Sequence, residues 1–340
     1  MTKDRVTIRQ VAQRAGVSTA TVSRTLHNNP RISERTKRRV LTAARELRYT
    51  RSGLAVSTKA VALVMPGKSE GNVDPGWLLE LLRGASLEAQ AAGYVTVSAF
   101  AAGKERDAAF LERWLGSAEV QGVILPVSTA GDRRVELLAN SGVPFAVVGR
   151  PDNLQDVLWV DNDNFHAMYE VVQRLVERGA RRVAFVGGPP QHKPVRDRLA
   201  GYRMALSNRG LPHAGTLVAH TNHVTVEDAF RISADLIPAV RPDAVVTTDD
   251  LIAIGVLRAC AARLTRIPCV GFNNSPYARE HEPGLSSVDT HPRELGREAA
   301  RLLIDRLEGR ADGETHAVIP TRLIVRESSE AGWGIEEGVE

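Results

Sequence analysis

Short apolar runs alternate with amphipathic stretches from residue 61 almost to the end of the chain. Runs that are apolar throughout are typical of strands in a parallel sheet, because helices cover both faces of such a sheet. The runs fall into two successive series, 61–65, 94–99, 122–127, 145–149 and 158–161, then 182–188, 216–220, 244–249, 269–272 and 286–288. This alternation predicts βαβ units and an α/β fold of two Rossmann-like halves with a cleft between them.

The segment before these runs is a strongly basic head. Residues 1–59 carry a formal net charge of +11, and the rest of the chain carries −7. The overall net charge of +4 is therefore the sum of two segments of opposite sign. In the head, Thr7 and Gln10 form a capping-box pattern, and Gly16 is typical of a helix end. Ser18 is a favourable N-cap for a second helix, and the turn between the two helices predicts a helix-turn-helix.

A basic helix-turn-helix favours DNA binding. The second helix begins with small hydroxylated residues that fit a major groove, and the surrounding cations can neutralise phosphate. The alternative is a solvated three-helix bundle whose charges have no nucleic-acid partner. The coincidence of charge and motif leads us to predict DNA binding.

Motifs of other protein classes are missing from the sequence. It has no GxSxG or HExxH pattern and no phosphate-binding loop, so we expect no enzyme, cofactor or metal. No apolar stretch approaches the length of a membrane span, and the N-terminus lacks a signal-peptide core, so we expect a cytoplasmic protein without a membrane partner. Cys260 and Cys269 are expected to be buried as small hydrophobic residues.

Particular motifs link both parts of the chain to a known family. The head contains VAQRAGVSTATVSR (11–24), RIS (31–33) and RELRY (45–49), and the body contains RLAGY (198–202), DDLIAIG (249–255) and VGFN (270–273). In these motifs the chain resembles LacI/GalR-family transcription regulators over about residues 5–328. The resemblance implies a helix-turn-helix headpiece followed by a periplasmic-binding-protein-like core of two Rossmann-like subdomains.

The resemblance also implies which head residues contact DNA. In the family the start of the second helix reads bases, which points here to Thr19, Ala20 and Arg24, with Arg24 the candidate for a bidentate guanine contact. Ser18, Thr21 and Ser23 are better placed for phosphates, and Thr7 and Arg31 complete the predicted interface. Leu54 could insert into the minor groove like the family's hinge leucines, or it could lie in an ordinary flexible connector.

Domain boundaries follow from the same resemblance. We predict a head (1–52), a shortened hinge (53–60), a core (61–328) and a disordered acidic tail (329–340). Crossovers near residues 161, 289 and 318 divide the core into an N-subdomain (61–160 with 290–317) and a C-subdomain (161–289 with 318–328). The two subdomains would close as a hinge about a ligand.

The cleft residues predicted to bind an effector lie mainly at strand ends, where open α/β sheets bind ligands. Arg198 matches the arginine with which family members hold sugar hydroxyls or a carboxylate. The other candidates are Arg150, Trp159, Thr248, Asp249 and Asn273. For Asp249 a helix N-cap is an equal alternative, and for Trp159 a position in the core is equally plausible.

The function implied is that of a repressor controlled by a small molecule, a sugar or sugar derivative. We expect a homodimer, because a pseudo-palindromic operator needs two recognition helices. One alternative is a corepressor-type regulator that responds to a purine-like or phosphorylated metabolite. A more distant alternative is a solute-binding protein, but that class carries a signal peptide instead of a basic head.

Overall fold

The computed structural model describes residues 6–26, 32–47, 59–65, 73–100, 107–115, 120–126, 131–151, 157–310 and 313–330. The predicted contacts Arg31 and Leu54 lie outside the described residues, as does most of the predicted hinge. The chain divides into two compact units, Met1–Thr58 and Lys59–Glu340, a boundary that falls within the hinge predicted over 53–60.

The head contains three short helices, α1 (Ile8–Ala15), α2 (Thr19–Leu26) and α3 (Glu34–Glu46). The predicted capping box is present, because Gln10 N donates to Thr7 Oγ1 at 3.4 Å and Thr7 N donates to Gln10 Oε1 at 2.6 Å. Gly16 ends α1 at a positive φ of 63°, which favours glycine. The helices share a small core of buried Val11, Ala12, Ala15, Val22, Val40, Ala43 and Ala44.

The body contains two six-stranded sheets, each the centre of one lobe. The first sheet has the order β11-β5-β4-β3-β1-β2, with β1 (Lys59–Met65), β2 (Tyr94–Phe100), β3 (Gly122–Leu125), β4 (Phe145–Val148), β5 (Leu158–Asn162) and β11 (His316–Ile319). The second has the order β12-β10-β9-β8-β6-β7, with β6 (Val183–Gly187), β7 (Val218–His220), β8 (Ala244–Thr247), β9 (Cys269–Phe272), β10 (Ser286–Asp289) and β12 (Arg322–Ile324). Only β12 pairs antiparallel among the described strands. The predicted pair of Rossmann-like lobes is confirmed.

Helices cover the faces of both sheets, as parallel strands require. Those of the first lobe are α4 (Pro75–Ala91), α5 (Asp107–Leu115), α6 (Arg133–Ser141) and α12 (Pro292–Glu308). Those of the second lobe are α7 (Asn164–Glu177), α8 (Lys193–Ser207), α9 (Val226–Val240), α10 (Asp250–Ala261), α11 (Pro276–Glu280) and α13 (Glu327–Glu330). Cys260 and Cys269 are free and buried in the second lobe. None of the helices in the described ranges is long and apolar enough to span a membrane.

The chain crosses between the lobes after β5, after β10 and after β11. Asn162, at the end of β5, joins these crossovers, because its Nδ2 donates to the carbonyl of Thr290 at 3.1 Å and to that of Ile319 at 2.9 Å. Strands β5 and β11 end at Asn162 and Ile319, two residues beyond the boundaries predicted at 160 and 317.

The C-terminal segment is ordered further than the sequence predicts. Ser329, placed in a disordered tail from 329, lies buried in α13. The neighbouring Ser328 explains this, because its Oγ donates to the Cys269 carbonyl at 2.8 Å and accepts from Ser286 N at 2.8 Å. Residues 331–340 lie outside the described residues.

Candidate functional site

The second helix of the head presents an exposed polar surface. Thr19, Ala20 and Arg24 are exposed on α2, whereas Val22 is buried in the core of the head. Helical periodicity places them on the side away from the core. The three residues predicted to read bases therefore share an accessible face.

Some of the predicted phosphate contacts have structural roles in the head. Ser18 Oγ accepts from Thr21 N at 3.1 Å and lies 2.9 Å from Thr21 Oγ1, so it caps α2. Thr7 caps α1, and Ser23 is half-buried. The hydroxyls of Ser18 and Thr7 therefore hydrogen-bond to the helix backbone within the head. An N-cap hydroxyl can also lie at an interface.

Some basic residues of the head form hydrogen bonds or ion pairs within it, and others have no ion-pair partner among the described residues. Arg39 Nη2 donates to the Ala15 carbonyl at 2.7 Å, and Arg14 pairs with Glu46 at 2.7 Å. The described residues provide no ion-pair partner for Arg24 or Arg38. These two guanidinium groups are available for an anionic partner such as DNA phosphate.

The body contains a cavity between its two lobes, at the carboxyl ends of the central strands, where open α/β sheets bind ligands. It is lined by Val73, Asp74, Trp77, Pro126, Val148, Gly149, Asp161, Asn162 and Leu295, and by Asn164, Pro189, His192, Pro194, Val195, Arg198, Val224, Thr248, Asp249 and Asn273. The predicted residues Arg198, Thr248, Asp249 and Asn273 thus come together in one cavity.

Arg198 is held rigidly at the wall of this cavity. It is 7% exposed, its Nε donates to Asn164 Oδ1 at 3.0 Å, and its Nη1 donates to the Thr248 carbonyl at 2.6 Å. Its guanidinium carbon lies 4.1 Å from the centre of the Phe272 ring. Burial lowers the pKa of Arg198 to about 10, opposed by nearby carboxylates such as Asp249, so the side chain is charged at neutral pH.

Asp249 is both a helix cap and a cavity residue. Its Oδ1 accepts from Leu251 N at 2.8 Å, and its Oδ2 accepts from Asn273 Nδ2 at 2.9 Å. Burial raises the pKa of Asp249 well above its usual range, and the carboxyls of Asp74 and Asp250 raise it further. The hydroxyl of Thr248 accepts from Gly188 N at 2.8 Å, which joins two strand ends of the second lobe.

Trp159 and Arg150 do not line the cavity, contrary to prediction. Trp159 is 6% exposed, and its ring stacks on His316 at a centroid distance of 4.6 Å. Successive residues of a strand point to opposite faces, and position 159 faces the core beneath the sheet. The guanidinium of Arg150 lies over that indole at 5.5 Å, and its backbone N–H donates to Asp161 Oδ2 at 2.9 Å.

Sequence reasoning missed the contribution of the first lobe to the cavity. Asp74 caps α4, with Oδ1 accepting from Gly76 N at 2.7 Å, and it is 1% exposed. Trp77 Nε1 donates to Thr290 Oγ1 at 3.1 Å, which ties α4 to a crossover. The Asp-Pro pair before a helical pattern indicates an N-cap, but no local signal places it opposite the second lobe.

Asp161 lies at the first crossover and is closely surrounded by donors. Its Oδ1 accepts from Asn162 N at 2.8 Å and from Asn164 Nδ2 at 3.0 Å. Burial raises the pKa of Asp161 to about 6 despite these hydrogen bonds. Because Asn164 also accepts from Arg198, the crossover and the cleft arginine belong to one hydrogen-bond network.

Comparison with known proteins gives matches to both units of the chain. Residues 7–52 match the family described as "Bacterial regulatory proteins, lacI family", and residues 172–329 match the "Periplasmic binding protein-like domain". The HTH-type transcriptional regulator CelR of Thermobifida fusca is 32% identical over 338 residues, which cover 95% of this chain and 98% of CelR. The HTH-type transcriptional regulator MalR of Streptococcus pneumoniae is 30% identical over 311 residues, which cover 88% of this chain and 92% of MalR.

A solved structure agrees with these matches. The structure titled "transcriptional regulator CelR-cellobiose complex" is 31% identical in sequence, with a TM-score of 0.74, and the match covers 95% of this chain and 100% of that chain. The similarity therefore extends over the head and the body together.

Proposed function

Because the chain belongs to the LacI family of bacterial regulatory proteins, we propose that it is a repressor whose binding to operator DNA is controlled by a sugar between its two lobes. The head supplies the DNA-binding helix, and the cavity of the body supplies the effector site. Induction, in which the sugar releases the operator, is the direction that we propose.

The position of Arg198 in the cavity is the observation that carries this proposal. Two of its nitrogens are held by Asn164 and Thr248, and Nη2 has no hydrogen-bond partner among the described residues. A fixed charged donor with a free NH2 group suits the oxygens of a sugar. Asp249 and Asn273 add acceptor and donor groups beside it, a mixture typical of small-molecule sites.

The charge of the cavity argues against a phosphorylated effector. Asp74, Asp161 and Asp249 line it together with Arg198, so acidic groups outnumber the guanidinium. An anionic ligand would be repelled by each of these carboxyls that is ionised, whereas the hydroxyls of a neutral sugar can donate to the same carboxyls. The cellobiose complex of the relative CelR supports the same ligand class.

A homodimer acting on a pseudo-palindromic operator completes the proposal. One helix-turn-helix reads only one half-site, and two-fold symmetry of the protein matches two half-sites about one DNA turn apart. A sugar that contacts both lobes would change their closure and so the placement of the two heads. Coupling of this kind is reciprocal and typically amounts to about 1–3 kcal/mol.

Replacing Arg198 by Ala tests the proposed effector site. Loss of a charged hydrogen-bond donor costs about 1.5–3 kcal/mol, so we expect sugar binding to weaken by about 10- to 100-fold while operator binding persists. Calorimetric titration with a panel of disaccharides that includes cellobiose gives the affinity. Arg203→Ala, an exposed arginine on the same helix, is the matched control and should bind like the wild type. Undiminished sugar binding by Arg198→Ala would remove Arg198 from the site.

A further inference from the structure

Arg198 is held by three contacts, and one of them is a hydrogen bond to another side chain. Its guanidinium lies over the Phe272 ring, and its Nη1 donates to the backbone carbonyl of Thr248. Its Nε donates to Oδ1 of the Asn164 side chain at 3.0 Å. A planar group that is held by one hydrogen bond in its plane can still turn about that bond. The second bond, at Nε, therefore fixes the direction in which Nη2 points.

The amide of Asn164 has a single orientation in this network. Its Nδ2 donates to Asp161 Oδ1 at 3.0 Å and to the Asn162 carbonyl at 3.2 Å, which uses both of its N–H groups. Oδ1 must then face Arg198, because a flipped amide would set its N–H groups against the Nε–H donor. Asn164 lines the cavity and is 3% exposed, but its donors are used within the protein. Its effect on a ligand therefore passes through Arg198.

The fold sets the distance between Asn164 and Arg198. Asn164 begins α7 just after the first crossover, and Arg198 lies on α8. The two helices approach closely at their backbones, because a Cβ on Gly201 would lie 2.1 Å from the carbonyl oxygen of Phe165. Phe165 follows Asn164 directly, and Gly201 lies about one helical turn after Arg198. This contact keeps the amide and the guanidinium at hydrogen-bond distance.

Asn164 holds the guanidinium without neutralising its charge. The carboxyls of Asp249 and Asp161 attract Arg198 electrostatically, but both of its hydrogen bonds within the described residues go to uncharged oxygens. A carboxylate at position 164 would pair with Arg198 and would also repel the carboxyl of Asp161. The neutral amide therefore leaves the positive charge of Arg198 and its Nη2 to a ligand.

We propose that Asn164 is a positioning residue for Arg198, which fixes the direction of the guanidinium so that Nη2 serves the ligand. Without the amide, the guanidinium turns towards the carboxyl of Asp161 or Asp249, and an ion pair takes the nitrogen that a ligand needs. The placement of the guanidinium is a property of the protein alone, whereas its effect on sugar affinity rests on the proposed function. Each is therefore measured separately.

The placement is tested in the full-length protein without sugar. The Nε–H group of Arg198 gives a nuclear magnetic resonance signal that is assigned by its absence from Arg198→Lys. We expect slow exchange of this hydrogen with water in the wild type, because the group is buried and hydrogen-bonded. Asn164→Ala should speed the exchange by about tenfold or more. A wild-type signal that exchanges rapidly, or one that Asn164→Ala leaves unchanged, overturns the proposal.

Tyr202→Phe is the matched control for a general loss of stability in this lobe. Tyr202 is buried about one turn after Arg198 on α8, and its hydroxyl donates to the Val183 carbonyl at 2.8 Å. The variant therefore loses one buried hydrogen bond near Arg198 but leaves the bond to Asn164 in place. It should keep the wild-type exchange of the Nε–H group and the wild-type sugar affinity.

Sugar affinity gives the second test, in a double-mutant cycle with Arg198→Lys, because lysine has no Nε–H group for Asn164 to hold. The probe is cellobiose, or the disaccharide of the panel that the wild type binds most tightly. Asn164→Ala should weaken binding about tenfold when Arg198 is present and less than about twofold in Arg198→Lys. Equal losses in both backgrounds overturn the proposal. If the wild type binds no sugar, the proposed function fails, and the Nε–H signal alone decides the role of Asn164.

Discussion

Arg24 is the head residue whose chemistry suits base reading best. It is exposed on α2 and has no ion-pair partner in the described ranges, so its forked donors can face a guanine. Arg24→Ala should weaken operator binding by about 1–3 kcal/mol and affect non-operator DNA much less. Fluorescence anisotropy with both DNAs measures the difference. Equal losses on both would make Arg24 a phosphate contact.

Arg38→Ala is the matched control at the residue scale, because Arg38 is also exposed and unpaired in the described part of the head. We expect it to weaken binding to both DNAs alike and to reduce the salt dependence of binding by about one counterion. If Arg38→Ala weakened binding to the operator much more than binding to non-operator DNA, Arg38 on α3 would itself contribute to base reading.

The sequence predicts the structural roles of some residues and not those of others. The caps at Thr7, Ser18 and Asp249 follow from local patterns, and the structure confirms the capping box. For Trp159 the sequence left a cleft position and a core position open, because an apolar strand buried on both faces gives no sign of which side a residue faces, and the structure has the core position. Asp74 escapes prediction because only the fold places its carboxyl in the cavity between the lobes.

At the scale of elements, glycines set the distance between helices α4 and α12. A Cβ on Gly296 would lie 2.0 Å from the Leu81 carbonyl oxygen, and one on Gly84 would lie 1.9 Å from that of Arg293. Gly296→Ala should therefore lower the free energy of unfolding by about 1–3 kcal/mol, as overpacking does, measured by urea titration. Gly215→Ala is the control, because its Cβ would meet open space. Unchanged stability of Gly296→Ala would refute the close packing.

The elements themselves were predictable where burial is complete. The fully buried strands β3, β4, β6, β8 and β9 correspond to apolar runs, because a covered parallel sheet leaves no polar face. Strands β11 and β12 lie at sheet edges and keep exposed residues, so they lack such a run. Sequence pattern alone did not reveal them, and the crossovers that they complete came from the family resemblance.

At the scale of the whole molecule, the head and the body are separate compact units. Each has its own buried core, so a protein lacking residues 1–58 should remain folded and retain sugar binding but lose operator binding. Circular dichroism, calorimetric titration and anisotropy measure these properties in turn. An unfolded product would show that the body needs the head.

The central claim is that a sugar in the cleft controls DNA binding by the head. Its most direct test is the dissociation constant of the full-length protein for an operator from its own upstream region, without and with saturating sugar. Typical coupling free energies predict that the sugar weakens operator binding by about 5- to 150-fold. An operator affinity that is unchanged by every sugar that binds the cleft would contradict the account.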